Sequence, residues 1–244
     1  ARRAQALISD SDSTRQDILA RLGVPQERVH VVPLAVDNRL APAPEQAQSQ
    51  VRQRYHLPET FLLYLGGFDR RKNLATLFRA LAQLRDRLRP PPVLAIAGRL
   101  ATRESRVVSD PRRQASEAGV SDLVRYLGWI SPAEKPALYS AASAFAFPSS
   151  YEGFGLPPLE AMACGTPVVA SDSSSLPEVV GPGGLLVAPD DSEAWSEALA
   201  SLLEDDSKRE TLGSAALAHS RRFSWRRTAE ATAAVYQRTK EASA

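Results

Sequence analysis

Residues 148–171 read PSSYEGFGLPPLEAMACGTPVVAS, in which a short apolar strand ends in a glycine loop and a helix follows at once. Proline is favoured in the first turn of a helix, and the residue before a proline avoids the α region. The helix is therefore predicted to start near Pro157, with Gly153 and Gly155 immediately outside that start. This order of elements leaves the backbone of the loop open to a ligand.

The glycine loop has the chemistry of a phosphate site. Missing side chains at Gly153 and Gly155 let a ligand approach the backbone, and the unpaired N–H groups of the helix N-terminus favour an anion. Glu160 is predicted in the first helical turn and Glu152 across the loop, so both carboxylates can flank one ligand. Alone, Glu160 would stabilise the helix dipole and Glu152 would be a solvated loop residue, but the joint pattern favours a binding site.

A second glycine turn is followed by three consecutive cations. Residues 64–73 read YLGGFDRRKN, a predicted strand that runs through Gly66 and Gly67 toward a helix that Asn73 is predicted to cap. Cations beside a glycine turn indicate phosphate binding.

Two of these cations suit a diphosphate. Arginine forks onto two phosphate oxygens and lysine supplies a point charge, so Arg71 and Lys72 are candidates for neutralising a departing diphosphate. The competing interpretation is a solvated basic loop. It is the better interpretation for Arg70, which has the wrong phase to point alongside Arg71.

Along the rest of the chain, short apolar runs alternate with segments of helical period, as is typical of βαβ units that feed a parallel sheet. The predicted strands are ALIS near Ala6, RVHVV from Arg28, FLLYLGG from Phe61, VLAIAG from Val93, LVRYLG from Leu123, AFAFPSS from Ala144, PVVAS from Pro167 and GLLVA from Gly184. The predicted helices cover residues 73–88, 102–118, 132–140, 192–204, 207–222 and 224–239. The predicted fold is α/β, a Rossmann-like parallel sheet with helices on both faces.

The chain is predicted to contain one full domain and a fragment. Residues 40–50, LAPAPEQAQSQ, carry two prolines and no periodic apolar positions, which indicates a linker. Residues 1–40 hold one predicted helix between two strands, too little to bury a core alone, and are interpreted as the tail of a preceding domain. Residues 41–222 are predicted to form the Rossmann-like domain, and residues 223–244 a closing C-terminal helix.

Composition excludes several classes of protein. Hydrophobic residues make up 43% and charged residues 24% of the sequence, which is ordinary for a globular protein. The 30 Lys and Arg are interspersed with 28 Asp and Glu, so nucleic acid is not an expected partner. No apolar run reaches the roughly 18 residues that span a bilayer, and residues 1–10, ARRAQALISD, lack the apolar h-region that is typical of a secretion signal. The single cysteine permits no intrachain disulfide, so a cytoplasmic location is predicted.

Metal and nucleophile candidates are weak. Asp10-Ser11-Asp12 resembles a DxD metal motif, but Ser and Asp cap helices well, so this segment is better explained as a helix start. Cys164 has no adjacent base and is interpreted as a small buried residue. No ligand spacing relates this cysteine to the histidines, which are His30, His56 and His219. No metal site is predicted.

Together the two glycine turns resemble the C-terminal, donor-binding domain of the retaining group 1 glycosyltransferases, which have the GT-B fold of two facing Rossmann-like domains. The family's Glu, seven residues, Glu motif is matched by Glu152 through Glu160. Its glycine-rich strand end and basic pair are matched by Gly66, Gly67, Arg71 and Lys72. Three further segments of the chain resemble landmarks of the family: LGWIS at Leu127, SLPEVVG at Ser175 and FSWRRTAEATAAVY at Phe223.

The resemblance implies a role for each matched residue. The backbone of Ile130 would contact the base, Glu160 the ribose hydroxyls, Arg71 and Lys72 the diphosphate, and Glu152 the sugar ring. The backbone amides that would hold phosphate and sugar are those of Gly153, Phe154, Gly155 and Leu156. Many family members carry an arginine where this chain has Gly67, so Arg71 would have to supply that charge.

The implied activity is transfer of a hexose from a nucleoside diphosphate sugar to a carbohydrate or lipid-linked saccharide acceptor, with retention and without metal or cofactor. YLGGFDRRKN and residues 171–175 resemble mannosyltransferases of polysaccharide assembly, so GDP-mannose is the expected donor. The family's acceptor-binding N-terminal domain is expected to be missing apart from its tail. The alternative is therefore a donor-binding module that is inert alone. A dinucleotide-dependent oxidoreductase would need GxGxxG after a strand, and the sequence has none.

Acceptors of such enzymes are often bound to membranes, so contact with the inner face of a membrane is an expectation for a longer protein. The residues that could touch anionic lipid are Arg221, Arg222, Arg226 and Arg227. A solvated helix start is the favoured interpretation of these four cations.

Overall fold

The computed structural model of the chain describes residues 3–99, 105 and 107–241. In these residues eight strands form two separate parallel sheets, one of two strands and one of six. All eight strands coincide with predicted ones, so the α/β fold class is confirmed.

The small sheet lies in residues 3–40, which we call the N-terminal unit. Strand β1 (Leu7–Ser9) pairs in parallel with β2 (Val29–Val31), with Leu7 opposite Val29, and helix α1 (Asp12–Leu22) connects them. Ser11 caps α1 because its hydroxyl accepts the N–H of Thr14 at 3.0 Å. The prediction that this serine- and aspartate-rich segment starts a helix is confirmed.

The large sheet supplies the frame of the second unit. Its strands are β3 (Phe61–Leu65), β4 (Val93–Ala97), β5 (Val124–Gly128), β6 (Ala144–Phe147), β7 (Val168–Ser171) and β8 (Gly184–Val187). They lie in the order β5-β4-β3-β6-β7-β8, and every neighbouring pair is parallel. The chain moves outward from β3 to β5 and then returns to the other side of β3. Open α/β sheets bind ligands at such a switch point, beyond the carboxyl ends of the strands.

Helices flank the large sheet. They are α2 (Glu45–Arg54), α3 (Leu74–Arg87), α4 (Pro111–Glu117), α5 (Lys135–Ala141), α6 (Leu156–Ala163), α7 (Leu176–Val180), α8 (Ser192–Glu204), α9 (Asp206–Ser220) and α10 (Trp225–Glu241). Helix α3 packs against α4 and α8, whereas α5 packs against α2 and α6. Because helices cover the sheet, the central strands β3 and β6 are buried along almost their whole length.

The prediction of a linker over residues 40–50 is wrong from Glu45 onward, where α2 begins. Glutamine, glutamate, alanine and arginine all favour helix, but they give no apolar period that sequence inspection could detect. Val51 is the one buried residue of α2 among those described, and the helix packs against α5. Tertiary packing therefore stabilises a helix that the sequence pattern does not reveal.

Two local predictions also need correction. Of the helix predicted over 102–118, only Pro111–Glu117 is helical; residues 107–110 are not, and residues 100–104 and 106 lie outside the described part of the chain. Asn73 precedes α3 but does not cap it with its side chain. Its backbone is left-handed, and its amide group contacts the carbonyl of Pro189 and the hydroxyl of Thr76 instead.

Val51→Ala is expected to lower the free energy of unfolding by about 2 kcal/mol, because it removes two buried methyl groups and leaves a small cavity. Urea denaturation followed by circular dichroism measures the change. Gln50→Ala, at an exposed position of the same helix, is the matched control and should change little. Equal effects of the two substitutions would show that α2 does not dock on the core.

Candidate active site

The two glycine turns lie side by side at the switch point. Strands β3 and β6 are parallel neighbours, and each turn begins where one of them ends. The N–H of Ser150 donates to the carbonyl of Arg71 at 2.7 Å, and the hydroxyls of Ser149 and Ser150 donate to the same oxygen at 3.2 and 3.1 Å. Hydrogen bonds therefore join the basic turn directly to the glycine loop.

Both predicted phosphate-binding cations contact the first glutamate of the loop. Lys72 Nζ lies 2.5 Å from Glu152 Oε1, and Arg71 Nη1 lies 2.8 Å from Glu152 Oε2. Asp69 holds the other side of the guanidinium, with its Oδ1 2.8 Å from Arg71 Nε. The structure thus brings the cations and the loop to one side of the molecule. Arg70 is exposed, as expected of a solvated residue.

Burial and charge act in opposite directions on Glu152. Burial alone would raise the pKa of its carboxyl group, but hydrogen bonds from Lys72, Ser149 and Arg71, together with the charge of Lys72, hold that pKa below its ordinary value. Glu152 is therefore ionised at neutral pH. An ionised carboxylate is an acceptor only, which suits it to the hydroxyl groups of a sugar.

The loop after β6 presents backbone N–H groups. Within the described part of the chain, no hydrogen-bond partner contacts the N–H groups of Gly153, Phe154 or Gly155. Gly155 directly precedes α6, so these three amides lie at the N-terminus of that helix. Unpaired amides at a helix N-terminus form an anion-binding surface.

Gly155 is required by its conformation and by its neighbours. Its φ is 117°, which L side chains rarely adopt, and a Cβ there would lie 2.9 Å from Leu176 Cδ2. Gly66, at the end of β3, is similarly confined, because a Cβ would lie 2.8 Å from the hydroxyl oxygen of Tyr64. Gly67, which follows it, is exposed. Close packing therefore accounts for one glycine in each turn.

Glu160 occupies the second turn of α6, so its predicted place in the first turn is wrong. The helix begins at Leu156, one residue before the predicted start, which makes Glu160 its fifth residue. Lys135 Nζ donates to the two Glu160 carboxylate oxygens at 2.8 and 3.0 Å, and the Tyr139 hydroxyl donates at 2.8 Å. Glu152 and Glu160 thus hold separate sets of partners.

Tyr139 remains a hydrogen-bond donor across the physiological pH range. Burial, followed by the charge of Glu160, raises the pKa of its hydroxyl well above the ordinary value. The side chain is fully buried and lies on α5 one turn after Lys135. Glu160 is therefore held by one neutral donor and one cation.

A cleft of about 360 Å³ opens beside Glu160. Its lining residues are Asp37, Arg39, Leu40, Pro132, Ala133, Lys135, Pro136 and Glu160. Ile130, predicted to contact a base, is buried and lies two residues before Pro132 in the sequence. In the described structure its backbone N–H and C=O have no hydrogen-bond partner. The cleft thus offers a carboxylate and nearby backbone groups to a nucleoside-sized ligand.

Sequence inspection missed the residues that hold the two glutamates and the loop. Lys135 and Tyr139 are four apart on a short helix, which shows that they share a face but not that this face meets Glu160. The single hydroxyl proton of Ser175 is shared between the carbonyls of Glu152 and Phe154, whose oxygens lie 3.0 and 2.7 Å from Ser175 Oγ. Nothing in the local sequence around Ser175, which precedes α7, predicts such a contact.

The structure confirms that Cys164 is a small buried residue. Cys164 is buried at the end of α6, and burial raises the pKa of its thiol to about 12. Among the described residues, no group of three His, Cys, Asp or Glu side chains could hold a metal ion. None of the described helices is long and apolar enough to cross a membrane.

A family model described as Glycosyl transferases group 1 matches residues 47–219. The chain belongs to this family. The matched range contains the whole six-stranded sheet and both glycine turns, so the group 1 resemblance seen in the sequence is confirmed.

Relatives of this chain include proteins named as mannosyltransferases. O-antigen chain mannosyltransferase B of Escherichia coli is 37% identical over 238 residues, covering 96% of this chain and 61% of the relative. MMP α-(1→4)-mannosyltransferase of Mycolicibacterium hassiacum is 34% identical over 247 residues, covering 98% of this chain and 55% of the relative. The chain spans about three-fifths of the length of these relatives.

A solved structure supports the same architecture. Anabaena Alr3699/HepE in complex with UDP-glucose superposes with a TM-score of 0.84 and 25% sequence identity, covering 99% of this chain and 65% of that one. The six-stranded sheet of the chain is therefore a Rossmann-like half of the GT-B fold.

Glu152→Gln is expected to lower the free energy of unfolding at pH 7 by about 3 kcal/mol, because it leaves the buried Lys72 ammonium without its counter-charge. The folded-state pKa of Glu152 is depressed, so its contribution is complete above the ordinary value of 4.5. That contribution is lost as the pH falls through the lower folded-state pKa. Urea denaturation at pH 7 and below pH 4.5 should therefore show the difference shrinking in acid.

Glu204→Gln is the matched control for this substitution. Glu204 pairs with Arg87 at 2.6 Å on the surface, where both side chains are almost half exposed. Its loss should cost less than about 1 kcal/mol at either pH. A pH-independent difference for Glu152→Gln would show that ionisation of Glu152 does not stabilise the fold.

Proposed function

We propose that this glycosyltransferase is the donor-binding part of a retaining enzyme that transfers mannose from GDP-mannose to a carbohydrate or lipid-linked saccharide acceptor. The observation that carries the proposal is the meeting of Lys72 and Arg71 with the unpaired amides of the glycine loop at one switch point. Cations and backbone amides that converge in this way suit the oxygens of a diphosphate.

The leaving group is stabilised by fixed positive charge. When the bond between the sugar and the diphosphate breaks, negative charge develops on the terminal phosphate. Lys72 and Arg71 offset this charge from one side, and the amides at the start of α6 offset it from the other. With two cations and a helix N-terminus available, the proposed reaction does not require a divalent metal.

The nucleoside is proposed to occupy the cleft beside Glu160. The Glu160 carboxylate accepts hydrogen bonds from the ribose hydroxyls, while Tyr139 and Lys135 keep it oriented. The base contacts the free backbone groups of Ile130. Glu152, across the loop, then accepts hydrogen bonds from hydroxyls of the sugar ring.

The proposal also names the sugar of the donor as mannose and its base as guanine. Two relatives that match almost the whole chain are named as mannosyltransferases. The related HepE structure contains UDP-glucose, which supports binding of a nucleoside diphosphate sugar but differs from the proposed donor in base and sugar. A panel of nucleotides therefore tests the base directly.

GDP is expected to stabilise the protein in thermal unfolding more than UDP or ADP, with no change on adding magnesium. A ligand at 100 times its dissociation constant stabilises the fold by about 2.7 kcal/mol, which is easily measured. Glu160→Ala should abolish the response, whereas Glu210→Ala, an exposed glutamate on α9, should leave it intact. Equal responses to all three diphosphates would contradict a defined base pocket, and a response to UDP alone would contradict guanine.

A second candidate function follows from the roles of the site residues. Each residue assigned a role above serves the donor and none is assigned to the acceptor, so the residues described here also fit a binding module that holds the donor. Binding of GDP without release of mannose from GDP-mannose would support this module over an independent enzyme.

Retention predicts the stereochemistry of the product. Turnover of GDP-mannose is expected to give a glycosidic bond with the anomeric configuration of the donor, as followed by proton NMR of the product. Solvent hydrolysis of the donor is the control, because it yields free mannose that equilibrates between anomers. An inverted product would contradict the retaining mechanism while leaving the donor site in place.

A further inference from the structure

Side chains hold every carbonyl oxygen of the glycine loop from residue 150 to residue 154. The donors are Ser173 to the carbonyl of Ser150, Arg71 to that of Tyr151, Ser175 with one proton shared between those of Glu152 and Phe154, and Ser11 and Thr14 to that of Gly153. These contacts fix the orientation of each peptide unit in the loop.

The contact at Gly153 differs from the others because its donors come from the N-terminal unit. Ser11 Oγ donates to the Gly153 carbonyl at 2.6 Å, and Thr14 Oγ1 donates to it at 3.1 Å. Both residues lie at the start of α1, outside the range 47–219 that the family model matches. The N-terminal unit therefore reaches into the loop of the other unit.

Holding this carbonyl also sets the direction of an amide. In a trans peptide the carbonyl and the following N–H point in opposite directions, so a Gly153 oxygen turned toward α1 directs the N–H of Phe154 away from it. That N–H is one of the unpaired amides of the loop. Glycines on both sides of Phe154 permit other peptide orientations, so the hydroxyls select one among several.

The start of α1 is itself held in place. The Glu178 carboxylate, on α7, accepts the N–H groups of Asp12 at 2.8 Å and Ser13 at 2.7 Å. Ser11 is buried, and its hydroxyl also accepts the N–H of Thr14 at 3.0 Å. A rigid helix start therefore presents the two hydroxyls to the loop.

We infer that Ser11 and Thr14 are positioning residues, which aim the amide of Phe154 at the terminal phosphate of the donor. This inference rests on the proposed function, since it takes the loop amides as the diphosphate site. It makes the N-terminal unit a working part of donor binding, although neither hydroxyl is placed to touch the donor itself.

The test compares nucleotides with and without the second phosphate. Isothermal titration calorimetry with GDP and GMP, and with UDP and UMP, is carried out on the full chain and on the double variant Ser11→Ala, Thr14→Val. The double variant should bind the preferred diphosphate about tenfold more weakly, since a charge-assisted hydrogen bond is misdirected, and the monophosphate less than twofold more weakly. Ser11→Thr and Thr14→Ser, which keep the hydroxyls, should restore diphosphate binding.

Thr228→Val is the matched control. Its hydroxyl donates to the carbonyl of Pro33 at 2.7 Å, so the substitution removes another contact of the N-terminal unit without touching the glycine loop. Both affinities should stay unchanged in this variant. Should thermal unfolding show that the double variant is not folded, Thr14→Val alone, which leaves the cap at Ser11 intact, should still weaken the diphosphate selectively.

The outcomes separate this inference from the proposed function. If the unaltered chain binds no nucleoside diphosphate, the proposed function fails and the inference fails with it. If the diphosphate binds the folded double variant as well as the unaltered chain, positioning by α1 is overturned and the proposed function stands. Equal weakening of monophosphate and diphosphate also overturns it, because a general structural defect would not distinguish the two ligands.

Discussion

The parallel pairing of β3 with β6 is the constraint on which the rest of the site depends. These strands are separated by about eighty residues of chain, yet their carboxyl ends adjoin because β4 and β5 are added on one side before the chain returns. Neither turn is a complete phosphate site alone: one contributes cations and the other backbone amides. Their chemistry becomes joint only through the order of strands in the sheet.

An ion pair between buried side chains then holds the two turns together. Lys72 is almost fully buried, and its ammonium would be costly there without Glu152 at contact distance. The face of the Phe147 ring, at the end of β6, lies 5.0 Å from the same ammonium and adds a favourable cation–π contact. Phosphate oxygens that approach Lys72 would meet charges that the folded protein already holds in place, namely those of Lys72, Glu152 and the more exposed Arg71.

The sequence predicted those parts of the molecule whose signals are local. All eight strands, the proline-led start of α6 and the two glycine turns themselves follow from apolar runs and turn residues. Helix α2 could not be predicted, because its single buried valine gives no period. The partners of Glu160, and the contacts of Ser11, Ser173 and Ser175 with the loop, could not be predicted either, because each joins residues more than about twenty positions apart and serine and tyrosine have many other uses.

The hydroxyl contacts along the glycine loop have a consequence for the thermodynamics of recognition. A loop with two glycines would ordinarily lose considerable backbone freedom when a ligand orders it, at roughly 1–2 kcal/mol for each residue. Here the carbonyls are already restrained in the free protein, so that entropy is lost during folding and association with a nucleotide does not lose it again. The loop is preorganised, so less of the favourable free energy of its contacts with a nucleotide is offset by ordering of the loop.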